Sequence, residues 1–213
     1  MKLKEFEIWA YKLSKSEARQ ISLFSRCVLA HFERVFQVID TVDVYRIYIK
    51  ITDDPSCFGG IEISCSVLKY YKPFDLVAFN QLDILSKKTS LLDLVYNSLL
   101  ELADKYDWNK DNFTEAYKAV VASEFVNHYV HQAKWNRSRN LQARVVCEHE
   151  PEVFRGSLVI VDKSNKVVFQ QVLFEEIPDE FFFNGRLGKV SWLNNGLLRF
   201  TNNAGVKEFS VTG

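Results

Sequence analysis

EFEIWAYKLSKSEARQISLFSRCVLAHFERVFQVI, residues 5–39, decides the class of this fold. It opens on an alternation: Phe6, Ile8 and Ala10 point one way, and Glu5, Glu7, Trp9 and Tyr11 the other. That is the period of a strand with one wet face. Ser14-Lys15-Ser16-Glu17 then matches a capping box, in which a hydroxyl and a carboxylate satisfy the first free N–H groups of a helix. Behind it Ile21, Phe24, Val28, Phe32, Val35 and Ile39 recur every three or four residues. This predicts a long amphipathic helix to about residue 39. Leu23, Leu29 and Phe36 widen its apolar stripe, so it is expected to pack on more than one side.

Outward from that segment, Val42–Ile51 and Ile61–Tyr71 are β-branched and aromatic and flank the Asp53–Gly60 turn region. They read as the two arms of a hairpin. Pro73 is placed to open a short helix to about Leu85, and Ser90 to cap a second one carrying Leu91, Val95, Leu99, Leu102 and Tyr106. Asp111 reads as the cap of a third helix with Phe113, Tyr117 and Val120. Residues 125–135 fit a strand by composition and a helix by period. From Leu141 onward the pattern is antiparallel β. One hairpin turns at Asp162–Asn165, and another at Asn194-Asn195-Gly196, where Asn-Gly supplies positive φ values. A last strand runs from Val206 to Val211. The expected fold is α+β: an N-terminal strand, a long helix, a β-hairpin and helices, then an antiparallel β-rich part. The division expected is residues 1–136 and 137–213, or one continuous domain.

Composition narrows the function more by exclusion than by assignment. Lys+Arg and Asp+Glu are 27 each, so a generally basic nucleic-acid coat is excluded, and 47% apolar residues exclude a disordered chain. Aromatic residues make up 14% of the chain, which predicts a rigid core and some rings left for recognition. No apolar run approaches the roughly 18 residues of a membrane helix, and no signal peptide is expected. Cys27, Cys57, Cys65 and Cys147 form no C-x-x-C pair and read as reduced thiols of a cytoplasmic protein.

Three residue groups are candidates for a site. His128, His131, Cys147 and His149 offer imidazole and thiolate ligands that suit Zn²⁺, although their spacing is not a usual zinc pattern. Lys134, Trp135, Arg137, Arg139 and Arg144 combine cations with an aromatic ring, as phosphate and base binding require. The glutamates that follow them and the neutral chain argue against nucleic acid. Residues 75–115 hold eight acids against four lysines. Within them Asp104, Tyr106, Asp107 and Trp108 cluster at a helix end as candidate contacts for a basic protein partner. Walker A, G-x-G-x-x-G, G-x-S-x-G, H-E-x-x-H and EF-hand patterns do not occur. The leading expectation is therefore a non-catalytic cytoplasmic protein-binding module with no cofactor. Bacterial immunity proteins, which neutralise a toxin, share this motif-poor profile. The alternatives are a metal-dependent hydrolase acting on phosphate esters and a nucleic-acid-binding regulator.

Overall fold

The alternating segment is a strand and the capped stripe a helix in the computed structural model, which describes residues 1–211. The chain divides into two compact units, residues 1–126 and residue 127 onward. The first contains β1 (Lys2–Leu3), β2 (Glu5–Ala10), α1 (Lys15–Val35), β3 (Ile39–Asp40) and β4 (Arg46–Thr52). A 3-10 turn at Pro55–Cys57 leads to β5 (Ile61–Ser64), β6 (Val67–Pro73), α2 (Leu76–Gln81), α3 (Ile84–Tyr106) and α4 (Lys110–Ala122).

The capping box forms as its residues dictate: Glu17 N donates to Ser14 Oγ at 3.3 Å, and Ser14 N donates to Glu17 Oε2 at 3.2 Å. The helix stops at Val35, short of residue 39. Phe36 turns extended, and β-branched Ile39 pairs with Leu3 in a small two-stranded sheet. The main sheet has the order β2-β4-β6-β5, with β2, β4 and β6 parallel and β5 antiparallel to β6. The hairpin expected between residues 42–51 and 61–71 is not what forms. β4 and β6 run parallel, and the hairpin lies inside the second run, where Ser64 faces Val67 across Cys65-Ser66. Those two residues take φ values of 49° and 63°, a tight turn made without the Asn or Gly that signals one.

The helix starts also differ from the expected ones. Pro73 ends β6, and Asp75 caps α2 through Ala78 N at 2.9 Å. Asp83 caps α3 through Ser86 N at 2.8 Å, so Ser90 lies inside that helix. Asn109 caps α4, and Asp111 sits in its first turn, where a carboxylate favours the helix dipole.

The core forms where α1, α3 and α4 cover one face of this sheet. Ile8, Ile47, Ile49 and Leu68 from the strands meet Leu29, Leu99 and Phe113 from the helices, all essentially inaccessible. Much of the aromatic excess is spent here. Phe6 stands edge-on to Phe32 at 5.3 Å and to Phe36 at 5.2 Å, and Phe36 stacks on Phe113 at 5.3 Å. The outer edge of β2 is closed from α1. Phe6 N donates to Glu33 Oε1 at 2.7 Å, and Arg26 Nη1 donates to Phe6 O at 3.1 Å. An Arg26–Glu33 ion pair at 3.0 Å links the two, so no free ladder groups are left at this point for another strand.

The second unit contains β7 (His128–Trp135), β8 (Leu141–His149), β9 (Phe154–Asp162) and β10 (Val167–Glu176). The one-turn helix α5 (Glu180–Phe183), then β11 (Lys189–Trp192), β12 (Leu197–Asn202) and β13 (Gly205–Ser210), complete it. The ambiguous 128–135 segment is a strand. All pairings are antiparallel, in the orders β10-β9-β8-β7 and β11-β12-β13. Every second residue of β8 from Leu141 to His149 is buried, and Ala143, Val145, Leu158 and Ile160 pack with Val190, Leu198 and Phe200. Phe154 lies parallel to Phe183 at 3.7 Å. Gly156 leaves room for the Phe174 ring, because a Cβ there would lie 2.3 Å from it. Side chains close the sheet margins. Val190 N donates to Gln132 Oε1 at 2.8 Å, and Lys207 Nζ donates to Leu173 O at 3.1 Å. No helix among the described residues is long and apolar enough to cross a membrane.

Candidate interaction surfaces

In the first unit the helices cover one face of the sheet, and the other face is assembled from the polar half of each strand's alternation. Parallel pairing sets Glu7 beside Tyr48 and Trp9 beside Lys50, and continues the rows onto Lys69 and Tyr71 of β6. Arg46 organises one end. Its guanidinium pairs with Glu5, lies 3.3 Å from Glu7, donates to the Tyr48 hydroxyl at 2.9 Å and sits over the rings of Tyr45 and Tyr48. Burial opposes its charge, but the bonds to Tyr48 and Glu5 outweigh that and hold its pKa above the ordinary arginine value. Lys50 stands 4.8 Å over Trp9 and 5.5 Å from the Tyr48 ring. Burial, and then the neighbouring Lys69, push its ammonium pKa down. Trp9 stacks along Tyr48 at 6.1 Å and remains 47% exposed. Tyr71 donates to Glu62 at 3.2 Å and meets the edge of Tyr11 at 5.2 Å. The rotamers of these large side chains are thus fixed in advance by one another. Trp, Tyr and Arg in such an arrangement can anchor another macromolecule at low entropic cost. The alternation of residues 5–11 marks the wet face of β2 but not its continuation. Arg46, Tyr48 and Lys50 alternate in the same way, but only strand order shows that they share a surface.

The candidates at the end of α3 do come together. Tyr106 and Trp108 stack at 5.2 Å, half-buried against the core, and Asp107 ends the helix in the left-handed region at φ 55°. Asp104 is paired with Lys110. Other acids of the 75–115 segment are also engaged. Asp75 and Asp83 are caps, Asp93 accepts from the Tyr117 hydroxyl at 2.8 Å, and Glu101 accepts from Lys72 at 2.8 Å. Much of the segment's negative charge therefore serves helix ends and tertiary pairs.

The histidine and cysteine candidates are dispersed by strand geometry. His128 lies opposite Glu148 on the outer face of the β7–β8 pair and is 3.7 Å from Glu150. His131 falls at a register shift between Val130 and Gln132, which breaks its relation to His128. Cys147 and His149 share the inner face of β8. His149 is buried edge-on to Phe154 and Phe183, with Nε2 3.3 Å from Pro178 O. Among the described residues no group of three or more His, Cys, Asp or Glu is placed to hold a metal ion.

The basic stretch divides. Lys134, Trp135 and Arg137 line an open cleft of about 500 Å³ with Ser191, Trp192, Leu193, Asn194 and Asn195. Arg139 sits at φ 53° in the adjoining turn, outside this lining. Arg144 lies on β8 and donates to Gln142 and Asn165, both at 2.7 Å. No family model, curated protein or solved structure matches the chain.

Proposed function

We propose that this chain is a non-catalytic protein-binding module whose recognition surface is the open face of the first unit's sheet. The observation that carries the reading is the preformed cluster of Trp9, Arg46, Tyr48 and Lys50 on the sheet face opposite the helices, with Trp9 about half exposed. These are the residue types that concentrate binding energy at protein interfaces. Glu5, Glu7 and Glu62 balance Arg46, Lys50 and Lys69 there, so the face suits a partner of mixed charge, bound through aromatic anchors and local ion pairs. An inhibitor that works by covering its target, as an immunity protein covers a toxin, needs only such a rigid face and no chemistry of its own. We take this as the specific form of the module. The four cysteines, none of them in a disulfide among the described residues, accord with a cytoplasmic setting.

The test is native mass spectrometry of the full-length protein isolated from its own cells, with cross-linking. The wild type should carry a protein partner cross-linked to β2 and β4. Trp9→Ala with Tyr48→Ala should weaken that complex at least about 30-fold, the effect of losing one hot spot of about 2 kcal/mol. Asp104→Ala should change it little. A complex that survives the double variant at wild-type strength would refute this surface.

A further inference from the structure

We propose that the cleft between residues 134–137 and 191–195 of the second unit binds a nucleotide unit, with its phosphate held by Lys134 and Arg137 and its base against Trp135. The proposal does not rest on the protein-binding reading, since it uses a different unit and different residues. Charge is the first argument. Two cations line the cleft and no acid does, and neither Lys134 nor Arg137 is ion-paired to a described residue. Three other arginines of the same unit are matched by acids: Arg155 holds Glu175 at 2.7 Å, Arg186 holds Glu176 at 2.7 Å and Arg199 holds Glu208 at 2.8 Å. Unmatched cations concentrated in one concavity are what an anionic ligand requires.

The second argument is the indole pair. Trp135 is 43% exposed and has no ring partner among the described residues, so its surface is free to stack on a base. Trp192 is fixed as a wall, because its Nε1 donates to Lys134 O at 2.9 Å. The third is rigidity. Asn136 is buried, and its Nδ2 donates to Asn140 Oδ1 at 2.7 Å and to Asn195 O at 3.0 Å. Ser138 N donates to Asn195 Oδ1 at 3.0 Å. The turn that carries Arg137 is thereby tied to the opposite lip of the cleft, so little ordering remains to be done on binding. The volume, about 500 Å³, suits one nucleotide and is far too small for a duplex.

The nucleotide has two sources, a free nucleoside monophosphate or one unit of a single strand. Equilibrium dialysis of the full-length protein against AMP and UMP, and fluorescence anisotropy with labelled single-stranded A8 and U8 RNA, separate them. Binding of a monophosphate assigns the site to free nucleotides, and binding of the octamers alone assigns it to single strands. In either case Arg137→Ala should weaken binding about tenfold or more. Trp135→Ala should weaken it about 5- to 100-fold, while Trp135→Phe keeps most of the affinity. For the octamers the slope of log K against log salt should be about −0.7, for the one phosphate held, and shallower in Arg137→Ala. Trp9→Ala should have no effect. Failure of all four probes to bind at low salt, or equal binding by wild type and Arg137→Ala, would overturn the proposal.

Discussion

His31 should make the first unit lose stability as the pH falls, by an amount the structure sets. It lies on α1, only 9% exposed, and its Nδ1 has no hydrogen-bond partner among the described residues. Burial first, and then the like charges of Arg34 and Lys88, push its imidazole down to about 4. The unfolded chain protonates the same ring near 6.5, so between these values the unfolded state binds the extra proton. Stability is then fully present above about pH 6.5 and declines as the pH falls towards 4, by about 3 kcal/mol in all. His31→Leu removes the titration while keeping the site apolar. The assay is urea unfolding of wild type and His31→Leu from pH 7 to pH 4, followed by the far-ultraviolet helix signal, because the long helices lie in the first unit. Comparing the two proteins at each pH cancels the other groups that titrate in both. Near pH 7 the variant should be within about 1 kcal/mol of wild type, because the orphan nitrogen leaves with the ring. At pH 4 it should be the more stable by about 3 kcal/mol relative to that baseline. A difference that stays constant with pH would refute the reasoning.

Two further outcomes follow from close contacts. Gly156→Ala should cost about 1–3 kcal/mol by driving a methyl into the Phe174 ring, and Phe174→Leu should recover part of that loss, both read from thermal melting. Glu33→Ala strips the Phe6 N–H and Arg26 of their acceptor; it should cost about 2–3 kcal/mol and open the β2 edge, so that dimers appear in sedimentation velocity as concentration rises.

Local signals were legible wherever a residue's role depends on near neighbours. The alternation of residues 5–10, the Ser14–Glu17 box and the Asn-Gly turn at 195–196 all act within a few positions, and each corresponds to an observed element. What depended on distant pairing was not legible. The parallel alignment of β4 and β6 is a tertiary choice, and the Cys65-Ser66 turn that permits it has no glycine to announce it. Ser90 looked like a cap, but Asp83 stands seven residues earlier with a better acceptor, and the intervening Ile84 and Leu85 are exposed helix positions that contribute little periodicity. The same limit governed the sites. Lys134 and Arg137 stood out in sequence, whereas the other wall of their cleft comes from a hairpin more than fifty residues later. The face carrying Trp9 needed the order of three strands before Tyr48 and Lys50 joined it.

The two units differ in the distance over which their strands find partners, and that sets a kinetic order. In the second unit each pairing joins consecutive strands, β7 to β8, β8 to β9, β9 to β10, and so through β11 to β13. The first unit must bring β2 to β4 across all of α1, and β4 to β6 past an intervening strand. Loop closure over such spans slows folding before any contact compensates for it. The later-synthesised half should therefore acquire its sheets on the faster timescale once it is released. The earlier half should pair its strands more slowly, and the Arg26–Glu33 clamp closes the β2 edge only once β2 is in place beside α1.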